Sequence, residues 1–266
     1  MSFPLCRIRV PYERAYYRGL WQKSKKFVAW FHFSNHLLIR ANKQVRNQGY
    51  ECDNMKSHME ILDAVFLVAV IMFSAVIHEL MHGVAANKLG DPTARLMGRL
   101  TLNPLVHLDA FGSVILPLVL VLTNSSILFG WAKPVPYNPF NLRPGRWSEA
   151  IVAGAGPFSN LVIALLGGAV IRLGILPSGL NDVVFLIVIV NVMLFLFNLI
   201  PVPPLDGSKV LSAVLPRSAS IVYSGWRTRM EYNPFMGMGI VLVIILFLGD
   251  AFGGLVYGIA HLITGV

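Results

Sequence analysis

The sequence predicts an all-α polytopic membrane protein with about four transmembrane helices, a re-entrant loop and short cytosolic-side β-strands. Its 266 residues are 55% apolar and only 13% charged, whereas soluble domains carry about 25% charged residues. Long apolar runs contain no charge at all, from Ala150 to Ile171 and from Val183 to Leu205. A helix needs roughly 20 apolar residues to cross the hydrocarbon, so this pattern excludes an ordinary soluble enzyme.

The positive charge is concentrated at the beginning of the chain. Residues 1–58 contain 11 Lys and Arg against three acids, whereas residues 59–266 are nearly neutral. Basic residues interleaved with aromatic ones can bind nucleic acid or anionic lipid, but no nucleic-acid-binding motif accompanies them. We therefore expect no nucleic-acid partner. The sequence predicts a poorly ordered basic appendage at 1–58 and one membrane domain at 59–266.

The first predicted span runs from about Ile61 to Leu89 and ends at Gly90-Asp91-Pro92, because a glycine followed by a proline stops a helix. Between Arg95 and Thr101, polar residues alternate with apolar ones, which favours a short β-strand over a helix. Three later apolar segments, at about 150–172, 183–200 and 236–263, complete the set of spans.

The first span contains the motif His78-Glu79-Leu-Met-His82. On a helix, residues four apart lie on one face, so both imidazoles can reach one ion while Glu79 projects towards a water bound to it. Zinc suits this set of ligands, and the glutamate serves as general base. Alternatively, the histidines bond neighbouring carbonyls and Glu79 pairs with Arg95 or Arg99. Three ionisable side chains at this spacing in an apolar span favour the metal site.

A catalytic zinc ion usually has three protein ligands, so two histidines leave one ligand to be found. The candidate is Asp206, which follows the span 183–200 in a proline-rich segment and precedes Gly207. The alternative is that Asp206 only caps a helix beginning at Ser208. We predict that Asp206 is the third ligand and that each chain binds one zinc ion.

Several motifs in order resemble the site-2 protease family of intramembrane zinc metalloproteases, in particular its compact microbial members without a PDZ domain. They are H-E-x-x-H at 78–82, G-P-x-x-N at 156–160 and N-x-x-P-x-P-x-x-D-G at 198–207, together with the stretches Leu102–Asp109 and Gly130–Pro136. The resemblance covers about residues 61–212. This sequence departs from the family at Ala110, where members often have proline.

The resemblance implies that His78, His82 and Asp206 are the zinc ligands and that Glu79 is the catalytic base. It also implies a catalytic role for Asn160, which would position the substrate backbone or stabilise the developing oxyanion. We leave His107 out of the metal site, because a single histidine there is expected to order the loop beside Asp109.

The implied function is zinc-dependent hydrolysis of peptide bonds in or near the transmembrane segments of membrane-protein substrates. The partners would be a substrate helix and the lipid bilayer, while the substrate's identity and the oligomeric state stay open. The predicted strand at 95–101 could clamp an unwound substrate by edge pairing. The alternative is a non-catalytic membrane scaffold or transporter with the same fold, which would not need the base Glu79.

The ligand set also predicts the topology. If His82 and Asp206 bind one ion, the spans before them end at the same membrane face, and segment 150–172 starts from it. Ala110–Ala132 then cannot cross once and is too short to cross twice, which predicts a re-entrant loop packed on protein or lining water. Ten basic residues lie on the shared face and only Arg172 on the other, so the positive-inside rule makes the shared face cytosolic. We expect a multi-pass protein of the cell membrane whose active site opens towards the cytosol.

This topology puts the basic appendage on the outer face, against the same rule. A further membrane passage at Phe27–Ile39 would have only 13 residues, fewer than the roughly 20 required. We therefore expect residues 1–58 to be dispensable and a chain that begins at Met59 to be sufficient.

Overall fold

The structure is a computed structural model that describes residues 53–107, 133–177 and 179–265, together with the isolated residues 115 and 119. In these ranges the chain forms eight α-helices and one 3-10 turn, Pro139–Asn141. The helices are α1 (Asp53–Lys88), α2 (Thr93–Leu96), α3 (Pro104–His107), α4 (Ser148–Arg172), α5 (Leu180–Asn198), α6 (Gly207–Val214), α7 (Arg217–Tyr232) and α8 (Pro234–Thr264). The predicted re-entrant loop and nearly all of the basic appendage lie outside the described residues.

Among the described residues, four helices are long and apolar enough to cross a membrane. They are Phe66–Lys88 within α1, the whole of α4, the whole of α5 and Val243–Thr264 within α8. An apolar α-helix satisfies its own backbone hydrogen bonds, which is the condition for crossing the hydrocarbon. The prediction of a helical multi-pass membrane protein is therefore confirmed.

Helix α4 is the centre of the bundle and contacts α1, α5, α6 and α8. A cluster of small and β-branched residues fills the space between α4, α5 and α8: Ala164, Val188, Val192, Val256 and Ala260. Gly168 lets α8 approach α4 closely, because a Cβ atom at this position would lie 2.3 Å from Ile263 Cγ2. Small residues commonly permit such close packing of helices in membranes, where the hydrophobic effect does not drive helices together.

The segment that follows α1 differs from the prediction. Residues Thr93–Leu96 form a helical turn, and no strand occurs in the described part of the chain, so the strand predicted at 95–101 is wrong. The buried carboxylate of Asp91 accepts hydrogen bonds from the backbone N–H and the hydroxyl of Thr93, which favours a helical start. Residues 95–98 are all exposed instead of alternating between a buried and an exposed face.

Candidate metal centre

The H-E-x-x-H residues lie in the last three turns of α1. His78 and His82 are both buried, and their rings lie nearly perpendicular with centroids 4.7 Å apart. One ligand atom from each of His78, Glu79 and His82 lies within 4.8 Å of the others. The helical spacing therefore brings the three side chains together.

Asp206 reaches the same point from the loop between α5 and α6. Its Oδ2 atom lies 3.1 Å from His78 Nε2 and 3.2 Å from His82 Nε2. Asp206 occupies the N-cap position of α6, but its side chain makes no capping hydrogen bond. The carboxylate is therefore directed at the two imidazoles and not at the helix that follows it.

Burial raises the pKa of Asp206, but the adjacent imidazoles of His78 and His82 more than offset this and hold the pKa well below its usual range. The carboxylate is therefore ionised at neutral pH and can serve as an anionic ligand.

Hydrogen bonds behind the two rings fix which nitrogen carries the proton. His82 Nδ1 lies 2.8 Å from the carbonyl oxygen of Val152, and because a carbonyl can only accept, Nδ1 must be the donor. His78 Nδ1 lies 2.6 Å from Asn160 Oδ1 and donates in the same way. In the neutral form of each ring, the Nε2 atom is then free of its proton and carries the lone pair that a metal ion would take.

Three acceptors therefore converge in a buried space: two imidazole lone pairs and one carboxylate oxygen. With both rings neutral, such a set needs a cation among its members, and two His nitrogens with one carboxylate oxygen are a known ligand set of catalytic zinc. Outer hydrogen bonds that orient the imidazoles, as Val152 and Asn160 do here, usually accompany such sites. The residues present fit a zinc ion.

Helix α4 comes unusually close to the two histidines at Gly156. A Cβ atom here would lie 2.5 Å from His82 Nε2 and 2.6 Å from His78 Nε2. Only glycine leaves room for the imidazoles at this crossing. In the sequence Gly156 is visible only as part of the G-P-x-x-N motif, because its physical role depends on the packing of α4 against α1.

A cavity of about 180 Å³ lies beside the ligands. Glu79 lines it, and one of its oxygens, Oε2, accepts a hydrogen bond from the backbone N–H of Val135 at 3.0 Å. Further residues around the cavity that sequence reasoning did not place in the site are Val135, Tyr137, Asn198 and Lys209. The carboxylate of Glu79 is thus oriented next to both histidines in a space that can admit water.

Lys209 places a positive charge on the wall of this cavity. Its Nζ atom lies 5.1 Å from the centroid of the Tyr137 ring. Burial lowers the pKa of Lys209, but its neighbours Tyr137 and Asp206 more than offset this and raise it. The ammonium group therefore stays charged close to the anionic Asp206.

Asn160 and His107 lie away from the cavity. Asn160 is fully buried, and its amide contacts His78 on one side and Asn191 on the other. The oxyanion role of Asn160 stays a prediction, and its contacts support a role in holding His78. His107 donates from Nε2 to the carbonyl oxygen of Thr101 at 3.0 Å and does not join the histidine–glutamate cluster of the described residues.

The chain is similar to one peptidase family and to proteins named as zinc metalloproteases. The sequence model of peptidase family M50 matches residues 173–244, which include α5 and the loop with Asp206. "Putative zinc metalloprotease YwhC" of Bacillus subtilis is 36% identical over 190 residues, which cover 68% of this chain and 80% of that protein. "Putative zinc metalloprotease Rip2" of Mycobacterium tuberculosis is 27% identical over 203 residues, which cover 74% of this chain and 72% of that protein. No solved structure matches the chain.

Proposed function

The chain belongs to peptidase family M50, and from this premise we propose that it is a zinc-dependent intramembrane endopeptidase of the site-2 type. It hydrolyses peptide bonds in or near the transmembrane segments of other membrane proteins. One observation supports this most strongly. The Nε2 atoms of His78 and His82 lie 3.1 and 3.2 Å from Asp206 Oδ2, while the Nδ1 atoms of the two rings donate to Asn160 and Val152.

The ligands of the zinc ion would be His78, His82 and Asp206. When bound there, a zinc ion would lower the pKa of a water molecule towards about 7 and polarise a carbonyl group. The chain holds these ligands where α1 and α4 pack directly on each other at Gly156. The site is therefore largely preorganised.

Glu79 is the general base of the proposed reaction. The N–H of Val135 holds one oxygen of its carboxylate beside the cavity, which orients the group. A carboxylate in this position can accept the proton of the attacking water and pass it to the leaving amine. A substrate helix must be unwound locally before this step, since its carbonyl oxygens are otherwise bonded within the helix.

We further propose that the cavity opens towards the cytosol and that residues 110–132 form a re-entrant loop. The end of α1, the beginning of α4 and the loop after α5 meet at the metal ligands, which supports one shared membrane face for these three helix ends. The exposed basic residues Arg95, Arg143 and Arg146 lie next to them in the chain, and positive residues favour the cytosolic side.

A Glu79→Gln variant tests the enzymatic function. Quantitative proteomics of membranes from cells with the variant should show membrane-bound precursors that accumulate relative to wild type, while the purified variant keeps its zinc. Glu231→Gln is a matched control, because Glu231 is an exposed carboxylate on α7 whose partner is Arg227. If the Glu79→Gln cells have a wild-type membrane proteome, the protein is a non-catalytic scaffold or transporter and the proposal is wrong.

A further inference from the structure

Behind His78, a chain of hydrogen bonds runs away from the cavity through three buried side chains. His78 Nδ1 donates to Asn160 Oδ1 at 2.6 Å, and Asn160 Nδ2 donates to Asn191 Oδ1 at 2.9 Å. Asn191 Nδ2 in turn donates to the hydroxyl oxygen of Ser74 at 3.0 Å. The two asparagines are fully buried and Ser74 is 5% exposed, so the chain links α1, α4 and α5 inside the membrane-spanning part of the molecule.

The direction of these hydrogen bonds is fixed at the far end of the chain. Asn191 Nδ2 also donates to the carbonyl oxygen of Ile187 at 2.9 Å. Because that carbonyl can only accept, the amide nitrogen of Asn191 must point to it and its oxygen must point to Asn160. Asn160 must then present its nitrogen to Asn191, which leaves its oxygen facing His78.

An amide oxygen beside a histidine ring selects one tautomer. The Oδ1 atom of Asn160 accepts a proton from His78 Nδ1, so the Nε2 atom keeps its lone pair for an ion. If the Asn160 amide were turned over, its NH₂ group would face Nδ1 and favour the tautomer with the proton on Nε2. Asn160 Nδ2 also donates to the backbone carbonyl oxygen of Ser74 at 3.4 Å. Asn191 and this carbonyl together therefore hold His78 in the tautomer that can bind a metal.

We propose that Ser74 and Asn191 are positioning residues of the metal centre, which lock the Asn160 amide and thereby the metal-binding tautomer of His78. This inference rests on the proposed function, because it takes His78 as a zinc ligand. It also explains why two asparagines and a serine occur in helices where polar side chains are costly.

The test is a zinc titration of the full-length protein in detergent, with a chromophoric chelator as competitor. Asn191→Leu keeps the approximate volume of the side chain but removes the acceptor that orients Asn160. Loss of an outer hydrogen-bond partner typically weakens metal binding about 10–100-fold, and we expect a decrease in that range. The absorption spectrum of the cobalt-substituted protein should change as well, since the orientation of one ligand changes.

Ser74→Ala is the second variant, because it makes a smaller change on a different helix. It should weaken zinc binding in the same direction, and Ser74→Thr, which keeps the hydroxyl, should restore the affinity. Val188→Ala is the control for simple destabilisation: Val188 is buried on α5 in the apolar cluster. We expect Val188→Ala to lower the thermal stability and leave the zinc affinity unchanged.

Two results would overturn the inference. One is a zinc affinity within about twofold of wild type in both Asn191→Leu and Ser74→Ala, well inside the 10–100-fold range expected for an outer partner. The other is a loss of affinity in Val188→Ala as large as that in Asn191→Leu. A wild-type protein that binds no zinc would instead contradict the proposed function itself, so the two failures are distinguishable.

Discussion

Among single residues, Gly156 of α4 is essential to the site because it has no side chain. At Gly156 the backbone of α4 passes against the rings of His78 and His82, so both imidazoles can converge with Asp206. Two residues earlier on the same helix, a Cβ atom at Gly154 would lie 4.0 Å from Val210 Cγ2, at an ordinary contact distance. The two glycines therefore differ in function although both lie in the same apolar segment.

Gly156→Ala should displace the imidazoles and lower the zinc affinity. Loss of an outer hydrogen-bond partner alone typically lowers metal affinity about 10–100-fold, and we expect at least that decrease here. The added methyl group would lie about 2.5 Å from both rings, which no small adjustment relieves. Gly154→Ala is the matched control and should leave zinc binding unchanged, with a gain of up to about 1 kcal/mol in helix stability. Metal analysis and thermal unfolding of both variants check this. Full zinc occupancy in Gly156→Ala would contradict the geometry of the site.

At the scale of elements, the end of α1 is held by one carboxylate. Asp91 is fully buried and accepts hydrogen bonds from the backbone of Thr93 and Asn138 and from the side chain of Asn141. Burial raises the pKa of Asp91, but these hydrogen bonds more than offset that and lower it below the ordinary 3.8. The carboxylate ties α1 to the segment that carries Val135, the residue that orients Glu79.

Asp91→Ala should lower the free energy of unfolding by about 1–3 kcal/mol at neutral pH, since it leaves buried donors without an acceptor. Because the native pKa is lowered, this stabilisation is present above about pH 3.8 and is lost as the pH falls through the native pKa. Thermal unfolding in detergent should show a difference from wild type that shrinks in acid. The exposed Asp182→Ala should change stability by no more than about 0.5 kcal/mol. A difference for Asp91→Ala that does not change with pH would contradict this account.

The sequence could predict the elements whose signal is local. The spacing of His78 and His82 and the length of each apolar run depend only on helix geometry. The sequence did not predict the turn at Thr93–Leu96, because the alternation of residues does not show that Asp91 is buried and accepts a hydrogen bond from the backbone N–H of Thr93. The sequence also could not predict the hydrogen-bond partners of Asn191, since they depend on which helices pack together.

At the scale of the whole molecule, the expected cytosolic opening can be tested by cysteine labelling. In a protein whose Cys6 and Cys52 are replaced by serine, I175C and F140C place a thiol at exposed positions, one on the α4–α5 loop and one in the 3-10 turn that precedes α4. A membrane-impermeant maleimide should label I175C in intact cells and F140C only after permeabilisation. The reverse pattern would contradict the orientation.

We also expect the protein to function without residues 1–58. Helix α1 begins at Asp53, but its membrane-spanning part begins at Phe66. A chain that begins at Met59 therefore keeps the four spans found in the described residues and every proposed ligand. It should insert, bind zinc and restore proteolysis in cells that lack the full-length protein. If it does not, residues 1–58 have a structural role.

The central claim is that His78, His82 and Asp206 hold one zinc ion. Its most direct test is metal analysis of purified wild-type and Asp206→Ala proteins by mass spectrometry. The wild type should contain one zinc ion per chain, and Asp206→Ala should lose it, because two remaining histidines seldom hold zinc tightly. Full zinc occupancy in Asp206→Ala at unchanged affinity would contradict the claim.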